Sequence, residues 1–328
     1  MNVLVTGGAG YIGSHAVRHL RAAGARVAVV DNLGQGHPSA VPPDVPFHQI
    51  DLRQSDRLRE ILTTERIDCV MHFAALASVG ESVAQPLLYY SNNVGGTLSL
   101  LEAMHSTGVR RIVFSSTCAV IGVPSALPIV ETTPREPINP YGWSKFVAEQ
   151  MLRDWSQSDP EFAAVALRYF NVAGCAADGL LGEDHEPEGH LIPILLQVAL
   201  GQRPHVTLFG NDYPTPDGTC IRDYVHVDDL CAAHVLALKA IRPGMAVYNV
   251  GIGRGYSVQE VLKAARVVTG HPIPAQFGPR RAGDPPALYA NSDKLMTELS
   301  WKPRFTNVEP VIETAWRWFR DHPAGYAD

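Results

Sequence analysis

A tyrosine and a lysine four residues apart, Tyr141 and Lys145, are the strongest candidates for chemistry in this sequence. They follow an Asn-Pro pair at positions 139–140, which is typical of a helix start. The spacing of four places both side chains on one helix face. A neighbouring ammonium group stabilises a tyrosinate, so we expect Lys145 to lower the pKa of Tyr141 and let it exchange a hydroxyl proton near neutral pH. On this motif alone, a surface cation beside an aromatic ring stays an alternative.

A short polar segment, residues 114–117, closes a predicted strand and ends at Thr117. Sites in α/β proteins assemble at the carboxyl ends of parallel strands. We therefore expect Thr117 to bridge a substrate hydroxyl and Tyr141 by hydrogen bonds. An ordinary polar strand end is the alternative.

A glycine-rich turn follows the first predicted strand and leads into a predicted helix, with glycines at Gly7, Gly10 and Gly13. Such glycines allow a tight turn and a close backbone approach to a pyrophosphate, whose negative charge the helix N-terminus favours. Asp31 ends the next predicted strand, where a carboxylate binds the adenine ribose hydroxyls and repels a 2′-phosphate. The pattern predicts a dinucleotide site and favours NAD over NADP.

Short apolar runs alternate with amphipathic stretches through the first half of the chain, which predicts helices on both faces of a parallel sheet. The fold class expected is α/β, with a Rossmann-type doubly wound parallel sheet. Strands are expected at residues 3–6, 27–31, 69–73 and 112–115, and helices at 15–23 and 55–63.

The second half is richer in loops, with prolines and glycines around residues 204–219 and 272–286. We expect a NAD-binding domain over residues 1–173, to which segments near 222–250 return, and a smaller C-terminal α/β substrate lobe over 174–328. Helices in this lobe are expected at residues 191–200, 258–269 and 307–320.

Composition excludes several classes of protein. The 328 residues carry a formal net charge of −6, so no nucleic-acid partner is expected. No signal peptide and no apolar run of eighteen residues appears, so no membrane partner is expected either. The five cysteines are widely spaced without a CxxC pair, which favours a cytoplasmic location. The acidic and histidine-rich segment 183–190 has irregular ligand spacing, so we expect no metal.

Together these residues resemble the extended short-chain dehydrogenase/reductase family, and within it the UDP-galactose 4-epimerases. The stretch around residue 211 is specific to that subfamily, whereas the glycine turn and the Tyr/Lys pair are shared with many reductases. The resemblance covers essentially the whole chain and is carried by residues 3–8, 79–82, 92–94, 168–171, 209–215, 222–227, 279–281 and 322–326.

The resemblance implies an NAD-dependent isomerase that interconverts UDP-galactose and UDP-glucose through transient oxidation at the sugar C4, and it implies a homodimer. Its catalytic residues are Tyr141, Lys145 and Thr117. The implied cofactor-binding residues are Gly7, Gly10, Tyr11, Ile12, Gly13, Asp31, Asn32, Asp51, Leu52, Phe73, Ala74, Ala75, Asn93, Ser115, Tyr141, Lys145 and Tyr169. The implied substrate-binding residues are Thr117, Asn171, His190, Leu191, Phe209, Arg222, Arg280, Asp284 and Leu288.

The sequence departs from the family pattern at four positions. Ala77 stands in place of a cofactor-binding lysine, Ile121 in place of a tyrosine, and His190 in place of an asparagine. Leu288 stands where some members have a bulky tyrosine that narrows the sugar pocket. A leucine there suggests the hypothesis that UDP-N-acetylhexosamines are also accepted.

Other functions remain as alternatives. The chain is compatible with a UDP-N-acetylglucosamine or UDP-glucuronate 4-epimerase. A nucleotide-sugar dehydratase or decarboxylase needs an acid/base residue directly after the threonine, but Cys118 and Ala119 follow Thr117 here. A catalytically silent NAD-sensing regulator has no need for the Tyr/Lys pair.

Overall fold

The computed structural model describes residues 1–281 and 284–328. The strands of this part of the chain are β1 (Asn2–Thr6), β2 (Arg26–Asp31), β3 (Phe47–Gln49), β4 (Cys69–His72), β5 (Arg111–Thr117), β6 (Ala163–Tyr169), β7 (Asn171–Ala173), β8 (Val206–Phe209), β9 (Ile221–Arg222), β10 (Tyr224–His226), β11 (Gly244–Val250), β12 (Tyr256–Ser257), β13 (Ala275–Gly278) and β14 (Ala287–Leu288). The helices are α1 (Tyr11–Ala22), α2 (Ser55–Thr64), α3 (Val79–Ala84), α4 (Pro86–Tyr89), α5 (Gly96–Thr107), α6 (Pro140–Ser158), α7 (Leu191–Ala199), α8 (Val227–Ala240), α9 (Val258–Thr269), α10 (Asp293–Leu299) and α11 (Val308–Asp321).

Seven strands form the central parallel sheet, in the order β11-β6-β5-β4-β1-β2-β3. Six of them have the strand order of a Rossmann fold, which places a ligand crevice beyond the carboxyl ends of β1 and β4. The predicted α/β class is therefore confirmed. The strand β11 lies beside β6, as expected if later segments return to the first domain. A domain boundary at residue 173 stays a prediction.

Alternate side chains of the central strands point to opposite faces of the sheet, and each face has its own apolar core. Val3 and Val5 pack on one face with residues of α1 and α8. Leu4 packs on the other face with residues of α2, α5 and α6. The sheet is thus buried on both faces, which explains why its strands read as continuous apolar runs.

The second half of the chain builds a third core from α7, α9 and α11 and carries three small sheets. The three helices expected there are confirmed. The helix α9 begins with a capping box of Ser257 and Glu260 and ends at Gly270, whose φ is +73°. None of the helices within residues 1–281 and 284–328 is long and apolar enough to cross a membrane.

Candidate active site

The glycine-rich turn joins β1 directly to α1, so α1 begins at Tyr11, earlier than the expected residue 15. A Cβ on Gly13 would lie 1.9 Å from the carbonyl oxygen of Gly7, so the fold itself requires glycine at position 13. A Cβ on Gly10 would approach no atom closer than 3.4 Å. The fold therefore leaves open space at Gly10, at the helix N-terminus, where a pyrophosphate is expected to bind.

Two carboxylates follow neighbouring strands beside this turn. Asp31 is buried at the end of β2 and accepts hydrogen bonds from the backbone N–H groups of Ala9 at 3.0 Å and Leu33 at 2.8 Å. It thus ties the turn to β2, and burial raises its pKa. Asp51 accepts two hydrogen bonds from Arg53, at 2.8 and 2.7 Å, which lower its pKa to about 2. Both groups fit the predicted NAD site, which needs acceptors for ribose hydroxyls at this edge of the sheet.

The remaining predicted cofactor residues lie around the same crevice or at its rim. Tyr11 differs from expectation, because its side chain is buried and its hydroxyl donates to the carbonyl oxygen of Gly174 at 2.5 Å. Only its backbone is therefore available to a pyrophosphate. Ile12 lies in the first turn of α1. Residues at the strand ends or in the adjoining turns are Asn32, Leu52, Phe73, Ala74 and Ala75.

A π-helical turn, Tyr90–Gly95, interrupts the helical segment between α4 and α5. Its buried Asn93 donates from Nδ2 to the hydroxyl of Ser144 at 2.9 Å and to the carbonyl oxygen of Leu76 at 3.0 Å. Turns of this type are frequent at functional sites. Here the turn joins the loop after β4 to the first turns of α6, which carry the catalytic pair.

The catalytic candidates lie at the start of α6 and at the end of β5. Asn139 caps α6, accepting a hydrogen bond from the backbone N–H of Gly142 at 2.8 Å, as the Asn-Pro pair predicts. Tyr141 and Lys145 are both buried, at 9% and 3% exposure. The Thr117 side chain neighbours that of Tyr141, and its Oγ1 accepts a hydrogen bond from the backbone N–H of Ala119 at 3.1 Å. Bridging of a substrate hydroxyl between the two residues stays a prediction.

The expected lowering of the tyrosine pKa is wrong for this structure. Burial raises the pKa of Tyr141 to about 12, although the neighbouring Thr117 hydroxyl opposes the shift. Burial also lowers the pKa of Lys145 to about 7. The physical reason is desolvation, which disfavours both charged forms in the same apolar crevice. For Tyr141 to act as a base near neutral pH, a positive charge other than that of Lys145 must therefore stabilise the tyrosinate.

Ser115 and Tyr169 lie on adjacent strands, β5 and β6, and their hydroxyls form a short hydrogen bond. Burial, and then the charge of Tyr141, raise the pKa of Tyr169. Both residues lie beside the catalytic pair, which agrees with their expected place in the cofactor groove.

A buried ion-pair network lies behind the catalytic residues. The sequence did not predict it. Glu149 is fully buried and accepts hydrogen bonds from Arg168 at 2.8 and 2.6 Å, from Ser116 at 2.6 Å and from Arg135 at 3.1 Å. Burial alone would raise the pKa of Glu149, but the hydrogen bonds and charge of Arg168 bring it below its ordinary value. Glu149 follows Lys145 by one helical turn, and that spacing was the available signal.

On the substrate side, Arg222 is buried and pairs with the carboxylate of Asp284. Arg280 lies over the ring of Tyr213 at 4.4 Å, and its Nε donates to Asp212 at 2.6 Å. A cleft of about 270 Å³ opens between these groups, and its lining includes Tyr213, Arg280 and Asp284. The cleft thus offers an aromatic ring and guanidinium groups, which suit a nucleotide diphosphate.

Phe209, at the end of β8, is 36% exposed, and the guanidinium of Arg281 lies 4.1 Å from its ring centre. The sequence predicted a substrate-binding role for Phe209 but none for its cation partner, Arg281. Asn171 begins β7 and Leu191 begins α7, and both are half-buried. Leu288 is buried in an apolar cluster that includes Ile121 and Phe170, so two of the four departures from the family pattern belong to one cluster.

The irregular spacing of segment 183–190 does not keep its ligand atoms apart. The structure brings together one ligand atom each from Glu183, His185, Glu188 and His190, all within 4.8 Å of one another. A loop conformation, rather than a regular repeat, produces this grouping. Burial, and then the negative charge of Glu183, raise the pKa of Glu188 to about 7.

Comparison with known proteins gives the family. Residues 3–251 match the family described as "NAD dependent epimerase/dehydratase family". The chain belongs to the NAD-dependent epimerase/dehydratase family. A UDP-glucose 4-epimerase of Lacticaseibacillus casei is 51% identical to it over 330 residues, which cover 100% of this chain and 99% of the relative.

Solved structures of family members agree. A crystal structure of a UDP-glucose 4-epimerase has 50% identity and a TM-score of 0.96, with 100% of both chains covered. The UDP-glucose 4-epimerase of Bifidobacterium longum, in complex with NAD⁺ and UDP, has 43% identity and a TM-score of 0.95, with 99% of this chain and 100% of that chain covered. The family match and these similar proteins confirm three predictions for this chain: the family, the Rossmann-type fold and the NAD-dependent epimerase class.

Proposed function

We propose that this epimerase/dehydratase family member reversibly interconverts UDP-galactose and UDP-glucose. The observation that carries the proposal is the burial of Tyr141 beside Thr117, at the carboxyl end of β5. A nucleotide-sugar whose C4 hydroxyl reaches this pair lies against the predicted NAD groove. The proposal includes the roles in cofactor and substrate binding that the family resemblance implies for the residues of this chain.

Bound NAD⁺ supplies the hydride acceptor, and the positive charge of its nicotinamide ring favours a tyrosinate nearby. Tyr141 then removes the proton from the sugar 4-hydroxyl, while Thr117 holds that hydroxyl in line. Lys145, whose pKa burial lowers to about 7, sets the charge beside the tyrosine. After the ring of the keto sugar has turned over, Tyr141 returns the proton to the C4 oxygen as the hydride is given back to the opposite face of C4.

The substrate side must hold the nucleotide firmly while the sugar turns. Arg222 and Arg280 supply guanidinium groups for the diphosphate, and Asp284 supplies a carboxylate for the uridine ribose. Phe209 offers a partly exposed ring for the uracil. The pocket of apolar side chains around Leu288 gives the sugar a surface without strong hydrogen-bond partners, which permits rotation.

A deuterium label at the sugar C4 tests the mechanism and separates it from a dehydratase. When UDP-galactose labelled at C4 is the substrate, the product UDP-glucose is expected to keep the label at C4, because the hydride returns to the carbon that it left. Deuterium at C6 of a deoxy-keto product would mean a dehydratase instead. The position of the label is read by NMR of the product.

The pocket at Leu288 favours a second substrate class, the UDP-N-acetylhexosamines. Leu288 and Ile121 belong to one buried apolar cluster, and neither side chain carries a hydroxyl or the bulk of tyrosine. Leu288→Tyr is expected to lower kcat/KM for UDP-N-acetylgalactosamine by about tenfold or more and to leave UDP-galactose within about threefold, as steric selection in a pocket allows. Leu288→Met, which conserves volume, is the control. No turnover of the N-acetyl substrate by the wild type contradicts this part of the proposal.

We also propose a cytoplasmic homodimer. The segment 79–98 exposes large apolar side chains, among them Val83 at 63%, Leu87 at 81% and Leu98 at 46%. Such a patch on helices is typical of a protein interface. The five free thiols support a reducing compartment. Leu87→Glu is expected to give a monomer by light scattering, and a monomeric wild type contradicts the proposal.

A further inference from the structure

The cluster of Glu183, His185, Glu188 and His190 has the donor set of a divalent cation site. Carboxylate oxygens and imidazole nitrogens are the non-thiol ligands that zinc takes in proteins. The two carboxylates are buried, at 3% and 8% exposure, whereas the two imidazoles lie towards the surface. An ion reaching the cluster from solvent would therefore meet the imidazoles first and the carboxylates behind them.

Three distances between donor atoms of the cluster lie close to the edge lengths of a tetrahedral zinc shell. The Nδ1 atom of His185 lies 3.5 Å from Glu183 Oε1 and 3.8 Å from Glu188 Oε2, and Nδ1 of His190 lies 3.8 Å from Glu188 Oε1. Zinc bonds of about 2.0–2.2 Å place tetrahedral ligand atoms about 3.3–3.6 Å apart. His190 and Glu183 form a short direct contact and would have to separate for a cation to lie between them, and the wider pairs would close slightly around it.

The charges at the cluster also favour a cation. Across residues 1–281 and 284–328, neither Glu183 nor Glu188 forms an ion pair with a lysine or arginine, and the imidazoles are their only cationic partners. Two buried carboxylates so close together repel each other unless a proton or a metal ion lies between them. Glu188 is held in place by the backbone N–H groups of Gly189 at 2.7 Å and His190 at 2.8 Å, so its carboxylate cannot easily turn away.

The place of the cluster in the fold suggests what a cation would do. His190 is the residue before α7, and the ring of His185 lies edge-on to Tyr11 of the glycine-rich turn, with the ring centres 6.3 Å apart. Asp184 accepts a hydrogen bond from the backbone N–H of Tyr326 in the C-terminal tail at 2.9 Å. The loop thus joins the start of α7 to the turn and the tail.

We propose that Glu183, His185, Glu188 and His190 form a zinc site of structural type, which fixes the loop 183–190 and the first turn of α7 beside the cofactor turn. The inference goes beyond the proposed epimerase function. It shares His190 with the proposed substrate site, but the ion would take only the Nδ1 atom of that residue. The four protein ligands complete a tetrahedral shell, so the ion has no open position for substrate and takes no part in the reaction.

Zinc binding by the tag-free, full-length protein tests the proposal. After removal of metals by a chelator, titration with zinc against a chromophoric competitor is expected to show one ion per chain. His185→Gln and Glu188→Gln each remove one ligand, and each is expected to weaken binding by more than about tenfold, since even outer-shell partners are worth 10–100-fold. Glu186→Gln is the control, because Glu186 is exposed in the same loop and outside the cluster.

A thermal readout guards against variants that fail to fold. Glu188→Gln keeps an oxygen acceptor for the two backbone N–H groups and removes the carboxylate repulsion, so the metal-free variant is expected to melt no lower than the metal-free wild type. Zinc is expected to raise the melting temperature of the wild type and Glu186→Gln, but not of Glu188→Gln. No stoichiometric zinc in the wild type overturns the proposal, and so does equal binding by His185→Gln, which would place the ion at a thiol or elsewhere.

Discussion

The ammonium nitrogen of Lys145 donates a hydrogen bond of 2.9 Å to the carbonyl oxygen of Ser115. This contact fastens the second turn of α6 to the carboxyl end of β5. Because Tyr141 lies one turn earlier on the same helix face, the contact also places its hydroxyl beside Thr117. Helix and strand thus bring the catalytic groups together through the fold itself.

Removal of the ammonium group tests its part in catalysis. Lys145→Met is expected to lower kcat for UDP-galactose by about 10²–10⁴-fold, the usual contribution of a positioned proton-transfer system. The reason is that the variant loses both the charge beside Tyr141 and the link to Ser115. Activity within about threefold of wild type would exclude Lys145 from the mechanism.

The same variant makes a prediction about stability and pH. Burial lowers the pKa of Lys145 to about 7, whereas an unfolded lysine titrates near about 10.4. Between these values the unfolded chain binds more protons than the native one, so this group makes native stability rise with pH. The melting temperature of Lys145→Met minus that of wild type is therefore expected to be more positive at about pH 6 than at about pH 9.5. An equal difference at both pH values contradicts the burial argument.

The network behind the catalytic strand is expected to hold the site in place. Glu149→Gln leaves the charge of Arg168 buried without its partner, so the free energy of unfolding in urea is expected to fall by about 3–5 kcal/mol. The matched control is Arg135→Gln, since Arg135 is partly exposed and pairs with the same carboxylate at 3.1 Å. That change is expected to cost about 0–1 kcal/mol, because Arg168 still balances Glu149. An equal fall in the free energy of unfolding for both variants would mean that the buried pair of Glu149 and Arg168 stabilises the fold no more than the partly exposed Arg135 does.

Two glycines of the same turn are expected to respond differently to alanine. Gly10→Ala meets nothing closer than 3.4 Å, so it is expected to melt within a few degrees of wild type yet to bind NAD more weakly, by about tenfold or more. Gly13→Ala places a Cβ 1.9 Å from the Gly7 carbonyl oxygen and is expected to destabilise the protein itself. Thermal melting and NAD titration separate the two effects. Unchanged NAD affinity in Gly10→Ala would place the pyrophosphate elsewhere.

The sequence predicted most of the central sheet because a parallel strand buried on both faces reads as an uninterrupted apolar run. The helix carrying Tyr141 and Lys145 could also be predicted from the sequence, because its cap, Asn139, is a local signal. The pKa of Tyr141 could not be predicted from the sequence, because its burial depends on residues far away in the chain, such as Tyr89.

Contacts between distant segments account for the other differences. The pairing of Arg222 with Asp284 and of Glu149 with Arg168 depends on how loops and strands meet, which residue spacing does not encode. The same holds for the loop that gathers Glu183 with His190. Irregular spacing in sequence therefore says little about whether ligand atoms converge in an irregular loop.

Turnover of UDP-galactose by the purified, tag-free protein is the most direct test of the proposed function. The product is identified by chromatography and NMR, first without added NAD and then with it, and Tyr141→Phe is measured beside the wild type. We expect UDP-glucose from the wild type and at least about a 100-fold lower rate from Tyr141→Phe, which loses the proton-transfer group but keeps the ring. Failure of the wild type to form UDP-glucose with saturating NAD, or an unchanged rate in Tyr141→Phe, would contradict the account.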